Sequence, residues 1–253
     1  MKDRNTTQQN NYHVIARFYD DLMGEKKYLI WGDIIADVVA KYKIPKGICI
    51  DVACGTGNIS QILLKQGFAV VGVDRSKYML AIAKKKLPQV DFVCSDIRDF
   101  ELKQKNEVVF AVSFYDSLNY LLTDKDILSA FQAIARNMPS GTIFLFDMNT
   151  REHILVSQKN KPRVFEYDDF YSIFRFGGEN RIWTIDMDFF IKQPDGKFQL
   201  IKEHHKERAY DEKDTTPLFQ KVGFELLEVR SENKVYEDGK EHLSRLYFIV
   251  KRR

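Results

Sequence analysis

Cysteine is scarce in this chain. Only Cys49, Cys54 and Cys94 occur among 253 residues. All three fall in short apolar runs or in the turn just after one, which excludes a disulfide framework and predicts reduced thiols in a cytoplasmic protein with no metal centre. Long hydrophobic runs are missing too: no stretch approaches the roughly 20 apolar residues that span a bilayer. The opening MKDRNTTQQNN lacks the apolar core of a secretory leader, so no membrane partner is expected. A surplus of one charge is also absent. Lysine plus arginine total 39 against 36 acidic residues, a net charge of +3, and a field that weak gives no reason to expect nucleic acid or an anionic surface as partner. What is present is 44% hydrophobic content, enough to exclude disorder and to build one large domain, or a core carrying a smaller inserted lobe.

The hydrophobic spacing alternates between strand and helix. Tyr28 to Tyr42 carries Ile30, Trp31, Ile34, Ile35, Val38 and Val39 at helical intervals. Ile48–Val52, Ala69–Val73, Val90–Cys94, Val108–Val112 and Thr142–Phe146 read as buried strands. Between them, Gly67 offers a left-handed helix end, Ser76 a cap, and Thr123 with Asp126 a capping box. Alternation of this kind predicts a parallel sheet with helices on both faces. From about Arg163 the rhythm changes to long alternating segments, with turns expected at Gly177-Gly178 and Pro194-Asp195-Gly196. Thr216-Pro217 reads as the start of a last helix, closed by Gly223, before final strands at Phe224–Val229 and Leu246–Val250 joined through Glu237-Asp238-Gly239. The expected fold is α/β: a doubly wound, mostly parallel, seven-stranded Rossmann-like sheet with an inserted antiparallel β lobe. Residues 1–160 and 211–253 would form the core, residues 1–45 its N-terminal cap, and residues 161–210 a lid.

The chemistry points to the turn Asp51-Val-Ala53-Cys-Gly55-Thr-Gly57-Asn58, followed by Asp74 at the end of the next strand. Gly55 and Gly57 let the backbone bend sharply with no Cβ in the way, and amides at a helix start favour acceptor atoms. Asp74 suits the two hydroxyls of a ribose, and Asp51 suits an ammonium group. Asp96 can accept from an exocyclic amine on an adenine flanked by Ile97 and Met79. A dinucleotide is the competitor, but Ser60 stands where its third glycine belongs, and Asp51 would repel a pyrophosphate.

DVACGTGN, VVGVDRSKYMLAIAKKK, CSDIRDF, SFYDSLNYLL, FLFDMNT and KEHHKERAYDEKD, in that order, resemble the class I S-adenosylmethionine-dependent methyltransferases, in particular bacterial small-molecule members. The resemblance implies S-adenosyl-L-methionine as cofactor, with Asp51, Ala53, Gly55 and Gly57 around the methionine moiety, Asp74 on the ribose, and Asp96 with Ile97 on adenine. It also implies a backbone carbonyl at Ser113 or Phe114 facing the methionine amine, and an N-terminal segment, here Ile15 to Asp20, folded over the cofactor. In similar aminosugar and amino-acid N-methyltransferases, histidine often stands where this chain has Tyr120.

Methyl transfer from a sulfonium is an in-line displacement, so the protein mainly holds a nucleophile and excludes water. Ring faces suit a cationic sulfonium, which makes Tyr12, Phe18, Tyr19, Tyr115 and Tyr120 candidates. Tyr19, Tyr120 and His205 are the expected catalytic side chains, and Tyr12 joins the cofactor set. Asp116 would bind substrate or cap a turn, and Lys84-Lys85-Lys86 reads as the wet end of a helix. The expected activity is methylation of N or O on a small molecule by a monomer or homodimer. The alternatives are a nucleic-acid methyltransferase and a non-catalytic S-adenosylmethionine-binding protein.

Overall fold

The structure is a computed structural model, and it describes residues 12, 15–24, 26–237 and 239–253. The first helices, in the stretch expected to form an N-terminal cap, are α1 (Ile15–Met23) and α2 (Lys26–Lys41). The nucleotide-type half follows as β1 (Ile48–Val52), α3 (Asn58–Lys65), β2 (Ala69–Asp74), α4 (Lys77–Lys86), β3 (Asp91–Cys94), β4 (Val108–Ser113), α5 (Asp124–Arg136) and β5 (Ile143–Asn149). Next come α6 (Arg151–Ser157) and the antiparallel strands β6 (Arg163–Glu166), β7 (Phe170–Glu179), β8 (Ile182–Lys192) and β9 (Phe198–Arg208). The chain closes with α7 (Glu212–Lys221), β10 (Phe224–Val235) and β11 (Glu241–Arg252).

The large sheet has seven strands in the order β10-β11-β5-β4-β1-β2-β3, with β11 the antiparallel insertion between β10 and β5. The expected Rossmann-like architecture is therefore present. The order reverses between β1 and β4, which opens a crevice beyond the carboxyl ends of those strands. One face buries Phe144, Phe146 and Phe248 against Phe131 of α5 and Phe219 of α7. The other buries Cys49, Phe110 and Leu145 under Trp31, Ile35 and Val38 of α2 and Leu63 of α3. Ile30, expected in that stripe, is 52% exposed and lines the cavity described below. Strands buried on both faces explain the unbroken apolar runs seen in the sequence.

The second sheet, β6-β7-β8-β9, lies between α6 and α7 in the chain. Its Phe170, Met187, Phe189 and Ile191 pack on Ile15 and Phe18 of α1, so cap and lobe share one apolar cluster. Among the described residues, no helix is long and apolar enough to cross a membrane.

One expected turn and one expected helix start are corrected. Gly177 and Gly178 lie inside β7, and the chain reverses at Asn180-Arg181, where Asn180 takes the left-handed φ of 55°. Gly178 is needed for close approach instead: a Cβ there would sit 2.1 Å from the Ile182 carbonyl oxygen, which accepts from Gln158 Nε2. Nor does α7 start at Thr216-Pro217. Asp211 and Asp214 form the capping box ahead of it, and Pro217 falls inside the helix. Burial of Leu218 and Phe219 and the Arg181–Asp214 ion pair at 2.6 Å hold that helix despite the missing amide. The final strands are longer than the sequence suggested, and their connection spans residues 236–240, of which Asp238 lies outside the described residues.

Candidate active site

The turn after β1 bends through left-handed backbone at Ala53, Gly55 and Gly57. A Cβ on Gly55 would meet nothing within 4 Å, so this bend faces open space. Gly57 differs. It caps α3, and a Cβ there would press on Leu87 at 3.2 Å and Ala83 at 3.4 Å. It is absent from the lining of the two spaces described below, and its missing side chain also lets α3 pack closely on α4.

A cavity of about 1160 Å³ runs from this bend to the lobe, lined by Ala53, Gly55, Asp74, Met79, Asp96 and Ile97 on the sheet side. Asp74 holds the bend in place: its Oδ2 accepts from Gly55 N at 2.9 Å and its Oδ1 from Ser76 N at 2.8 Å. Burial raises its carboxyl above the usual range. Asp96 is gripped by Arg98, which donates from Nε at 2.9 Å and Nη2 at 2.8 Å and also reaches Asp126 at 2.7 Å. The pairing overrides partial burial and lowers the Asp96 pKa, so an acceptor is kept ionised at this end. Asp51 lines a smaller neighbouring space of about 40 Å³ that shares Tyr19, Ala53, Gly55, Tyr115 and Ser117 with the main cavity. Its Oδ2 accepts from Ser60 Oγ at 2.6 Å, and burial pushes its carboxyl up to about 7. Acceptors at both ends, apolar Met79 and Ile97 between, and an open backbone bend fit an adenosyl amino acid. Of the two residues whose carbonyl was expected to face the methionine amine, Phe114 lines the smaller space beside Asp51, whereas Ser113 lines neither and buries its Oγ.

The loop after β4 carries a feature that spacing could not reveal. Tyr115 and Asp116, neither of them glycine, both hold left-handed φ, 63° and 52°. Strain of this kind persists only where surroundings over-determine it. Here Asp147 of β5 accepts from Tyr115 N at 3.1 Å and from Asp116 N at 2.8 Å. Arg245 of β11 ties the arrangement shut, reaching Asp147 at 2.5 Å and Asp116 at 2.7 Å. The loop thereby presents Tyr115, whose ring meets Trp31 and Tyr19 edge-on at 5.1 and 6.4 Å between centroids.

The structure brings the four expected aromatic and imidazole side chains together. Tyr12 packs edge-on against His205 at 4.9 Å and against Tyr19 at 6.3 Å. Tyr120 Oη stands 3.0 Å from His205 Nδ1, and His205 Nε2 stands 3.1 Å from Glu203 Oε2. A carboxylate only accepts, so Nε2 carries the proton and Nδ1 accepts from the tyrosine. Burial raises the Tyr12, Tyr19 and Tyr120 phenols well above their usual value, which makes them donors. His204 points to the opposite face and pairs with Asp186 at 2.6 Å.

Several lining residues escaped the sequence reading. Glu207, two positions beyond His205 on the same face of β9, is buried, and burial followed by the Asp116 carboxylate pushes its carboxyl well up. The same alternation could have flagged it. His153 of α6 bonds Tyr236 and meets the Trp183 ring edge-on at 5.5 Å; burial, then Arg245, pushes it down to about 3. Nothing local marks it.

Residues 49–141 match a family model described as a methyltransferase domain. The chain is 30% identical over 229 residues to the putative methyltransferase YqeM of Bacillus subtilis (strain 168), covering 87% of this chain and 89% of that protein. It is 31% identical over 122 residues to a dTDP-3-amino-3,4,6-trideoxy-alpha-D-glucopyranose N,N-dimethyltransferase of Streptomyces venezuelae, covering 48% of this chain and 51% of that one. An S-adenosylmethionine-dependent methyltransferase from Clostridium acetobutylicum ATCC 824 shares the fold, with a TM-score of 0.80 and 24% identity over 95% of this chain and 98% of its own. Carrying that fold, the motif order and the acidic strand tips around an open bend, the chain belongs to the class I S-adenosylmethionine-dependent methyltransferases.

Proposed function

We propose that this enzyme methylates the nitrogen of a small polar amine, with the β6–β9 lobe and α1 forming the lid over the substrate. The observation that carries this reading is the Tyr120–His205–Glu203 chain of hydrogen bonds opening onto a cavity that also presents Glu207 and Asp116. An amine arrives protonated near neutral pH, so it needs carboxyl groups to receive the ammonium and a base to free its lone pair. Hydroxyl acceptors need the base without the carboxyls. The aminosugar N,N-dimethyltransferase relative supports an amine.

When bound, S-adenosylmethionine supplies an electrophilic methyl group on a positively charged sulfur. Asp74 and Asp96 would hold its ribose and adenine, Met79 and Ile97 would flank the purine, and Asp51 and Ala53 would face the methionine end. The Tyr19 and Tyr115 rings keep water away and offer π faces to positive charge. Tyr120 Oη takes a proton from the substrate ammonium while its own proton moves to His205 Nδ1. Glu203 then faces an imidazolium, whose charge it stabilises. With the Tyr120 phenol held so far from ionising, tyrosine conducts the proton and histidine keeps it. The lobe closes the cavity's far side with Trp183, Ile185 and Met187.

The test is turnover with S-adenosylmethionine over matched acceptors: aminosugars, amino acids, phenols, carboxylates, transfer RNA and duplex DNA, read by mass spectrometry. Methyl gain on amine nitrogen in a small acceptor is the expected result. Methylation confined to nucleic acid or to hydroxyls would overturn the proposal.

A further inference from the structure

We propose that the end of the cavity lined from α2, α6 and β10 is an anion subsite, where Lys27 and Lys234 receive a carboxylate or phosphoryl group carried by the same molecule whose amine is methylated. The inference rests on the reading of Glu207 and Asp116 as receivers of the ammonium, and adds what holds the substrate's other end.

Lys27 lies in the first turn of α2 and Lys234 near the end of β10, and both line the cavity. Neither ammonium is ion-paired among the described residues. Lys27 Nζ stands over the Tyr115 ring at 4.9 Å and donates to its hydroxyl at 3.4 Å, and Lys234 Nζ stands over the Tyr236 ring at 5.6 Å. The carboxylates around them are engaged elsewhere: Glu232 accepts from Tyr247 Oη, Glu237 lies 3.7 Å from Arg163, and Asp116 and Asp147 share Arg245. Lys27 is open to the cavity, yet enough protein surrounds it that burial lowers its pKa, as it does for Lys234. Arg245 lowers both further, while Asp116 and Glu232 offset part of the effect on Lys27 and Glu232 part of that on Lys234. A cation drawn out of bulk water without a counter-charge costs free energy, and an anion between these two would offset it.

His153 of α6 adds a neutral donor to the same end. Its Nδ1 is taken by Tyr236 Oη, and its Nε2 has no partner among the described residues. With the phenol donating to Nδ1, Nε2–H is free to donate to the anion. The cavity is thus opposite in sign along its length, with the carboxyls of Glu207 and Asp116 in one part and two ammonium groups in another. A small molecule bearing both an amine and an acid satisfies both parts; a plain amine leaves the lysines without a counter-charge. At about 1160 Å³ the space exceeds the roughly 300–1,000 Å³ of an ordinary small-molecule site, which leaves room for a cofactor and a substrate long enough to reach both.

The experiment saturates the full chain with S-adenosylhomocysteine and titrates it with inorganic phosphate and with acetate, chloride holding the ionic strength constant so that screening does not change. Affinity is read by calorimetry and the His153 ring nitrogens by magnetic resonance. Saturable binding that moves the His153 signals is expected, and the tighter of the two ions names the group on the substrate. Lys27→Met and Lys234→Met keep the side-chain length and remove the charge. Each should weaken binding roughly ten- to a hundredfold, the size of a lost charge-assisted hydrogen bond, while Lys234→Arg should keep most of it. Melting temperatures of the methionine variants should hold or rise, since an unpaired cation has been removed, so weaker binding is not a sign of unfolding. Binding of neither ion, or binding that survives the double Lys27→Met, Lys234→Met variant, overturns the subsite. Failure of the amine reading shows elsewhere, as methyl gain on hydroxyls in the acceptor series, and leaves the phosphate and acetate titrations unaffected.

Discussion

Lys86 Nζ lies 2.5 Å from Asp20 Oδ2, joining the end of α4 to the face of α1, while Asp20 Oδ1 accepts from Thr56 and Asn58 in the cofactor turn at 2.6 and 2.9 Å. The basic run expected to be merely the wet end of a helix thus supplies a pin for the cap. Lys86 and its two polar partners outweigh partial burial and hold the Asp20 carboxyl below its usual range. A depressed carboxyl contributes stability above the ordinary value of about 4, and that contribution fades as pH falls through the folded value. Because the pair is part-exposed, Lys86→Ala should cost less than about 1 kcal/mol of folding stability by thermal melt. Its larger effect should be on cofactor residence, with release several-fold faster in stopped flow.

Tyr120→Phe removes the donor to His205 Nδ1 and leaves the ring. Turnover number should fall by about a hundredfold or more, the usual size of a lost acid–base path, with cofactor affinity within twofold by calorimetry. A matching rise in the cofactor dissociation constant would move Tyr120 from proton transfer to binding.

Asp51, pushed up to about 7 by burial, makes cofactor binding depend on pH. The ammonium of the methionine moiety requires the ionised carboxylate, so affinity should rise with pH up to about 7 and flatten above it, changing by up to about tenfold per unit below. In the cofactor-free protein the sign is opposite: this carboxyl's contribution to stability is full below about pH 4 and is lost as pH climbs through about 7. Asp51→Asn should bind weakly and without the slope. Calorimetric titration between pH 5.5 and pH 8.5, a range of about three units around that value, reads both.

Gly55 and Gly57 should part company under substitution. Gly55→Ala meets no neighbour within 4 Å, so it should cost about 1 kcal/mol for the left-handed backbone while placing a methyl group toward the cavity and weakening cofactor binding. Gly57→Ala adds contacts at 3.2 and 3.4 Å with Leu87 and Ala83, and should lower the melting temperature with a smaller effect on affinity. Paired melts and titrations separate the two.

Much of the core was legible because its signals are local. Buried parallel strands leave continuous apolar runs, and caps such as Ser76 and Thr123 act within their own helices, where both are found. Turns at the lobe misled because glycine serves two needs: Gly178 answers a carbonyl at 2.1 Å from its missing Cβ, while Asn180 turns the chain. Pro217 misled in the same way, since helix start chemistry was available earlier, at Asp211.

The amino-acid order alone determined the strand and helix alternation, the glycine bend after β1 and the acids at strand tips, since each depends on residues within a few positions of one another. Only the tertiary structure decided that Arg245 would lock a strained loop 129 residues away, that Glu207 would meet Asp116, and that Glu203 would hold both Tyr12 and His205. Such pairings arise where the crossing of β9, β11 and α1 over one crevice removes charged groups from water, and burial then obliges each to find a partner that no local spacing encodes.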